Sequence, residues 1–340
     1  MQRLITKRAL AIEQFLTVSG WRQAGRTVLA GDASFRRYDR LRKGSLSAVL
    51  MDAPPPTEDV RPFVRIANLL RSLGLSAPKV IGENLEVGLL LLEDFGDLTY
   101  SRCFNEGADE YDLYKLAVDV LIYLHGAFDP KEAENIAHYD DAKFLEEASL
   151  FTDWYLPAVR GFNTTDAEQS EFTERWLSVF SEARAVPETL VLRDFHVDNL
   201  MWLKNRHGVG ACGLLDFQDA VRGPIAYDLV SLFEDARRDV PVDLAANLLR
   251  YYCDAYPKMD KCRFFASYAV LGAQRSTKIL GVFTRLAQRD GKPHYLHHIS
   301  RVWRWLEGDL KHPALEPVRE WFDKVVPADG RVIPCSETVS

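Results

Sequence analysis

The sequence predicts an α+β protein in two lobes, a small strand-rich lobe over residues 1–95 and a larger α-rich lobe over 96–340. Three observations carry that expectation. Up to Glu93, helical apolar spacing alternates with short runs rich in Val, Leu, Phe and Tyr. Beyond Phe95-Gly96-Asp97 the spacing becomes mostly helical. The convincing strands of that second region flank one polar motif, Leu192 to Leu200, and an apolar run, Gly213-Leu214-Leu215, that ends in Asp216.

In order, Leu4, Ile5, Ala9, Ile12, Phe15 and Leu16 recur at helical spacing, with Gly20 placed to end the helix. From Thr27 to Asp52 the texture is that of a hairpin-rich sheet, broken at Gly31 and at Lys43-Gly44-Ser45 and stopped by Pro54-Pro55-Pro56. Thr57-Glu58-Asp59 reads as a helix start, a capping hydroxyl followed by carboxylates at the positive end of the helix dipole. Phe63, Ile66, Ala67, Leu70 and Leu73 continue that helix to Gly74. Val80-Ile81-Gly82 and Val87 to Glu93 read as strands. Further helices are expected at about 111–125, 141–159, 166–185, 224–235, 242–256, 261–289 and 294–307. Strands are expected over Thr189–Leu192, Leu200–Leu203 and Val209–Leu215.

With 340 residues, 47% of them hydrophobic and 27% charged, the chain is long enough for two packed cores. Lys and Arg number 42 against 49 Asp and Glu, and the net charge of −7 gives no broad cationic field for nucleic acid or an anionic membrane. Cys103, Cys212, Cys253, Cys262 and Cys335 form no C-x-x-C pair and are odd in number, which speaks against a disulfide framework or a structural zinc site. No apolar run reaches the ~18 residues that span a bilayer, and the N-terminus mixes Arg3, Lys7, Arg8 and Glu13 with apolar residues, unlike a signal peptide. The expectation is a cytoplasmic protein with no nucleic acid, membrane or obligate protein partner.

Moving a phosphoryl group to an alcohol needs a carboxylate that orients the hydroxyl and accepts its proton, and hard oxygen ligands that hold magnesium against the phosphates. Asp194 suits the first task. Asn199, five positions on, and Asp216, at the end of the apolar strand, suit the second. An isolated aspartate in this position is more often a turn or cap residue; the ordered set is what points to phosphoryl transfer.

Asp194-Phe195-His196-Val197-Asp198-Asn199 is followed by Asp216-Phe217-Gln218-Asp219 and Gly223-Pro224-Ile225-Ala226-Tyr227-Asp228-Leu229. This series resembles the catalytic and metal loops of the protein-kinase-like superfamily, in its aminoglycoside phosphotransferase and choline kinase branch. Gly31 to Tyr38, Val49 to Pro55 and the hinge-like Leu91 to Asp97 are similar to one bacterial subgroup of that branch, which includes the anomeric kinases of N-acetylmuramate and N-acetylglucosamine used in cell-wall recycling. The resemblance implies a two-lobed protein-kinase-like fold. Residues 1–95 would bind nucleotide, and 96–340 would carry the catalytic loop, the metal loop and acceptor-binding helices. It also implies ATP-dependent phosphorylation of a sugar at its C1 hydroxyl, with Mg2+.

Carried over residue by residue, the resemblance makes Asp194 the catalytic base and Asn199 and Asp216 the magnesium ligands. Ala33, Ser34, Phe35, Arg36 and Arg37 would cover ATP, while Leu92, Glu93 and Phe95 would border the adenine. His196 and Asp228 would support the loops. From their spacing on an expected helix, Arg275 and Lys278 face either an anionic group of the acceptor or solvent. Trp303 and Trp305 read as core, and His294, His297 and His298 as a surface helix end.

The sequence departs from the family in three places. Leu192 stands where a histidine is common. Ala48-Val49-Leu50-Met51 lacks the strand lysine that contacts the phosphates, leaving Arg36 or Arg37 to supply that charge. A single Gly31 replaces a glycine-rich loop. A kinase of an aminoglycoside, choline or homoserine, or a nucleotide-binding regulatory protein without catalysis, are the alternatives. A cationic acceptor would call for an acidic surface, for which Asp140, Asp141, Glu146, Glu147 and Asp153 are the candidates.

Overall fold

A computed structural model describes residues 2–29, 36–132 and 135–335. The chain opens with α1 (Gln2–Val18), whose Ile12, Phe15 and Leu16 pack at helical spacing on Leu41, Ala48, Leu50, Leu89 and Leu91 of a sheet. That sheet contains β1 (Gly25–Val28), β2 (Arg37–Lys43) and β3 (Leu46–Asp52). Gly44, at φ 60°, makes the turn between β2 and β3 that a side chain would strain. After α2 (Arg61–Ser72) come β4 (Val80–Asn84) and β5 (Leu89–Glu93), and all neighbours pair antiparallel in the order β1-β2-β3-β5-β4.

One sequence expectation fails at α2. Thr57 does not cap it; the helix starts at Arg61 with Val60 at its N-cap and a proline in the first turn, whose fixed φ sets the start. Glu58 is left outside the helix and serves elsewhere.

Next come α3 (Tyr100–Asn105), capped by Thr99, and α4 (Glu110–Ala127). At six residues α3 is too short to leave a helical periodicity, and the sequence reading missed it. The expected helix over 141–159 is broken into α5 (Asp141–Leu150), a π-turn at Phe151–Tyr155 and α6 (Leu156–Arg160), with Pro157 opening the last piece. A capping box, Thr165 with Glu168, starts α7 (Asp166–Ala183).

Four short strands follow: β6 (Glu188–Val191), β7 (Leu200–Trp202), β8 (Cys212–Leu214) and β9 (Val221–Pro224). β6 pairs with β9 and β7 with β8. β8 is shorter than expected because Gly208–Ala211 form a 3-10 turn, and β9 was hidden by its Gly-Pro ending. The chain continues as α8 (Tyr227–Phe233), α9 (Val242–Asp254), α10 (Lys261–Gln288), α11 (Ile299–Asp309) and α12 (Glu316–Val325). α12 lies beyond the last helix expected. In α10, a side chain at Gly281 would stand 2.3 Å from the Leu150 backbone, so that glycine lets α10 and α5 touch.

The chain gathers into two units. One is Met1–Val120 with Asp198–Asp219, holding the five-stranded sheet and the β7–β8 ribbon. The other is Leu121–Val197 with Ala220–Ser340, holding the β6–β9 pair and the long α10. Among the described residues no helix is long and apolar enough to cross a membrane.

Candidate active site

The polar motif is divided between the two units after Val197, and each half has its own local construction. In the sheet-bearing unit, the β7–β8 ribbon pairs Leu200 with Leu214, and the Leu215 N–H donates to the Asn199 carbonyl at 2.9 Å. Antiparallel register therefore brings Asn199 and Asp216 to the same end of the ribbon. Asp216 holds a left-handed backbone, φ 56°, which aspartate tolerates better than most residues. Its Oδ1 accepts from Gln218 Nε2 at 2.8 Å, and its side chain is 28% exposed. Phe217 beside it stacks on Phe63 of α2 at 4.9 Å between ring centroids.

Arg36 reaches this end of the ribbon. Its Nε donates to Glu58 Oε2 at 2.8 Å, and its guanidinium lies 3.7 Å from Asp216 Oδ1. The strand segment that lacks a lysine is apolar and packed, with Ala48, Leu50 and Met51 fully buried. Arg36 thus meets Asp216, and Glu58, read from the sequence as part of a helix start, is its anchor. Arg37 is exposed at the start of β2. Ala33, Ser34 and Phe35 lie outside the described residues.

Leu92 is buried in β5. The Glu93 carboxylate is engaged by Arg206 at 2.5 Å and Arg71 at 3.6 Å, and the half-buried Phe95 ring carries the Arg206 guanidinium 5.2 Å from its centroid. A side chain at Gly213 would meet that ring at 2.9 Å, so the glycine of β8 makes room for Phe95.

Asp194 lies in the helical unit, half-buried beside several cations. Burial alone would raise its carboxyl; the charges of Lys278 and Arg275 outweigh that and hold it below the ordinary carboxylate range. Arg275 and Lys278 thus do not form a solvated face. Arg275 donates to Ser231 Oγ at 2.8 Å, and Lys278 Nζ sits 3.0 Å from Glu147 Oε1. His196 is buried, which lowers its imidazole pKa, and its Nε2 lies 3.3 Å from the Arg237 guanidinium. Asp228 accepts the backbone N–H groups of Leu192 at 2.7 Å and Arg193 at 2.9 Å, while burial pushes its carboxyl up to about 7. Asp228 thus ties down the backbone just before Asp194, while His196, on the same loop, contacts Arg237.

Other candidates fall elsewhere. Trp303 packs among Phe151, Tyr155 and Phe322, and Trp305 donates to the Asp235 carbonyl at 3.2 Å. His294 and His298 pack on Tyr295 and Phe283. Of the five acidic residues, Asp140 caps α5 by accepting the Lys143 N–H, Glu146 pairs with the Lys143 ammonium, Asp141 pairs with Arg184, Asp153 accepts from Gln169, and Glu147 pairs with Arg193 and Lys278.

Each unit thus holds its own polar group: a carboxyl kept low at Asp194 in one, and Asn199, Asp216 and the Glu58-anchored Arg36 at one ribbon end in the other. The family profile described as a phosphotransferase enzyme family matches residues 25–265, more than half of the chain. The chain belongs to that phosphotransferase family. This phosphotransferase is 36% identical to the N-acetylmuramate/N-acetylglucosamine kinase of Caulobacter vibrioides, over 96% of this chain and 99% of that protein. It is 37% identical to the Pseudomonas aeruginosa protein of the same name, over 91% and 92%. In fold it is similar to the choline kinase of Streptococcus pneumoniae (TM-score 0.61, 13% identity, 89% of this chain and 99% of that one). A choline/ethanolamine kinase family protein of Mesorhizobium loti is also similar (0.59, 13%, 93% and 99%). The phosphotransferase is thus an ATP-dependent kinase of α+β fold.

Proposed function

We propose that this phosphotransferase moves the γ-phosphoryl group of ATP to the C1 hydroxyl of N-acetylmuramate, N-acetylglucosamine or both, in peptidoglycan recycling. The observation that carries the acceptor is the kinship, at 36% and 37% identity over nearly the whole of both chains, with kinases named for those sugars.

In this reading Asp194 accepts the proton of the sugar hydroxyl as its oxygen attacks the γ-phosphorus and ADP leaves. A hemiacetal hydroxyl is more acidic than an ordinary alcohol, so a low-lying carboxylate is an adequate base. Asn199 and Asp216 offer an amide and a carboxylate oxygen. An amide and a carboxylate oxygen suit Mg2+, which completes its shell with phosphate oxygens and water. Bound there, the cation would offset charge on the phosphates.

Arg36, steadied by Glu58, supplies the phosphate-facing charge in place of the absent lysine, with Arg37, Ala33, Ser34 and Phe35 in the same nucleotide-covering segment and Leu92, Glu93 and Phe95 beside the adenine. Residues 1–95 would thus serve the nucleotide, and 96–340 the catalysis and the acceptor. Lys278 and Arg275 favour an acceptor carrying an anionic group. The place of work is the cytoplasm, where ATP is supplied.

A substrate panel tests the proposal: ATP with N-acetylmuramate, N-acetylglucosamine, glucose and kanamycin, followed by ADP release. Turnover of the two N-acetylated sugars with kcat/KM well above that for glucose is expected. Turnover of kanamycin without either N-acetylated sugar would overturn it.

A further inference from the structure

The residue before Asp194 carries a conformation that needs explaining. Among the described residues, Arg193 (φ 69°) and Asp216 are the only non-glycine residues with a left-handed backbone. Asp216 is of a type that visits this region; arginine, with a full Cβ and no short polar side chain to bond locally, is not. A strained residue persists only where its surroundings hold it, and such residues concentrate at functional sites.

Arg193 is held from both ends. Its backbone N–H donates to Asp228 Oδ1 at 2.9 Å, and its carbonyl accepts from Ser231 Oγ at 3.0 Å. Its guanidinium pairs with Glu147 of α5 and lies 5.6 Å from the Tyr139 ring centroid. Glu147, only 5% exposed, also takes the Tyr139 hydroxyl and, at 3.0 Å, the Lys278 ammonium. Tyr139 reaches the Tyr227 hydroxyl at 3.1 Å, and Tyr227 precedes the Asp228 that grips the loop backbone. The contacts close a ring: Arg193, Glu147, Tyr139, Tyr227, Asp228 and back to Arg193. Gly223 admits Tyr139 to it, since a side chain there would press on the Tyr139 Cβ at 3.0 Å.

Burying a carboxylate with two cations is expensive, and such pairs often add little net stability. Their use here is geometric. We propose that Glu147 and Arg193 are positioning residues of the phosphoryl-transfer loop: the Glu147 carboxylate grips the Arg193 guanidinium and so keeps the left-handed turn that presents the Asp194 carboxylate to the acceptor hydroxyl. This rests on the reading of Asp194 as the base. Neither residue touches the reacting atoms; they act through Asp194.

The test is steady-state kinetics of the full chain with ATP and N-acetylmuramate or N-acetylglucosamine, together with Tm, for Glu147→Gln, Glu147→Asp, Arg193→Ala, Arg193→Gly and Asp194→Asn. Misplacing a reacting group by an ångström costs up to about a hundredfold. Glu147→Gln and Arg193→Ala are therefore expected to lower kcat about tenfold or more while KM for ATP stays within about twofold. Glu147→Asp should regain part of the loss. Arg193→Gly should keep several times more kcat than Arg193→Ala, because glycine takes a left-handed backbone without the Cβ penalty. A side chain that merely fills space would give the reverse order.

Wild-type kcat in both Glu147→Gln and Arg193→Ala, or Arg193→Gly equal to or poorer than Arg193→Ala, would overturn the inference. If Glu147→Gln does not fold, the glycine and alanine comparison at Arg193 decides. Full turnover by Asp194→Asn overturns the reading of the base instead. An inactive Asp194→Asn beside undisturbed Glu147 and Arg193 variants overturns only the positioning role.

Discussion

Arg193, beside Asp194, and Asp216 share a left-handed backbone but not the means of holding it. Around Arg193 the partners are buried, come from α8, α5 and the segment before α5, and grip backbone and side chain together: Asp228, Ser231, Glu147 and Tyr139. Around Asp216 they are closer in sequence or longer in reach, Gln218 two residues on and Arg36 at 3.7 Å, and the carboxylate stays 28% exposed. In the proposed reading the contrast reflects two demands: a proton acceptor must be aimed before the substrate arrives, whereas a cation ligand must stay open to phosphate oxygens and water.

The largest effect should come from removing the aimed group. Asp194→Asn is expected to lower kcat by about 10²–10⁴ with Tm close to wild type, measured by ADP release and thermal denaturation. A loss below tenfold would mean that the rigid loop is structural.

On the open loop, Arg36→Met is expected to raise KM for ATP about tenfold, the scale of one lost charge-assisted hydrogen bond, with a smaller change in KM for the sugar. Arg37→Met, altering an exposed side chain at the start of β2, should change it less. Equal effects at both positions would remove Arg36 from the phosphate role.

Lys278→Met should give the smallest change at neutral pH and a clear one in acid. Asp194 accepts a proton only when ionised, and the Lys278 and Arg275 charges outweigh burial to hold its carboxyl low. Activity in the wild type therefore persists below the ordinary carboxylate range and is lost as pH falls through the depressed value. Without the ammonium that limb of the kcat profile should move to higher pH. A limb that stays put would show that Lys278 does not act on Asp194.

Much of this was legible in the sequence, and for physical reasons. The long helices announce themselves through the apolar spacing of α1, α2 and α10, and Asn199 and Asp216 through the short apolar ribbon that separates them. Glu58 was misassigned because a carboxylate after a hydroxyl reads locally as a helix start, and only the fold reveals Arg36 as its partner. Glu147 is one of several acidic residues near α5, and nothing local marks it as the one turned inward. The left-handed backbone of Arg193 leaves no trace in residue type, since it is imposed by partners distant in sequence. Arg275 and Lys278 show the same limit: the spacing gave a shared helix face, but not that the face is buried toward Asp194.

The measurement closest to the central claim is phosphorus NMR of the product formed from ATP and N-acetylmuramate by the wild-type chain and by Asp194→Asn. The expected result is a phosphate on the anomeric C1 oxygen, coupled to the C1 proton, from the wild type and little or none from the variant. A phosphate on another hydroxyl, or the same product at the same rate from Asp194→Asn, would contradict it.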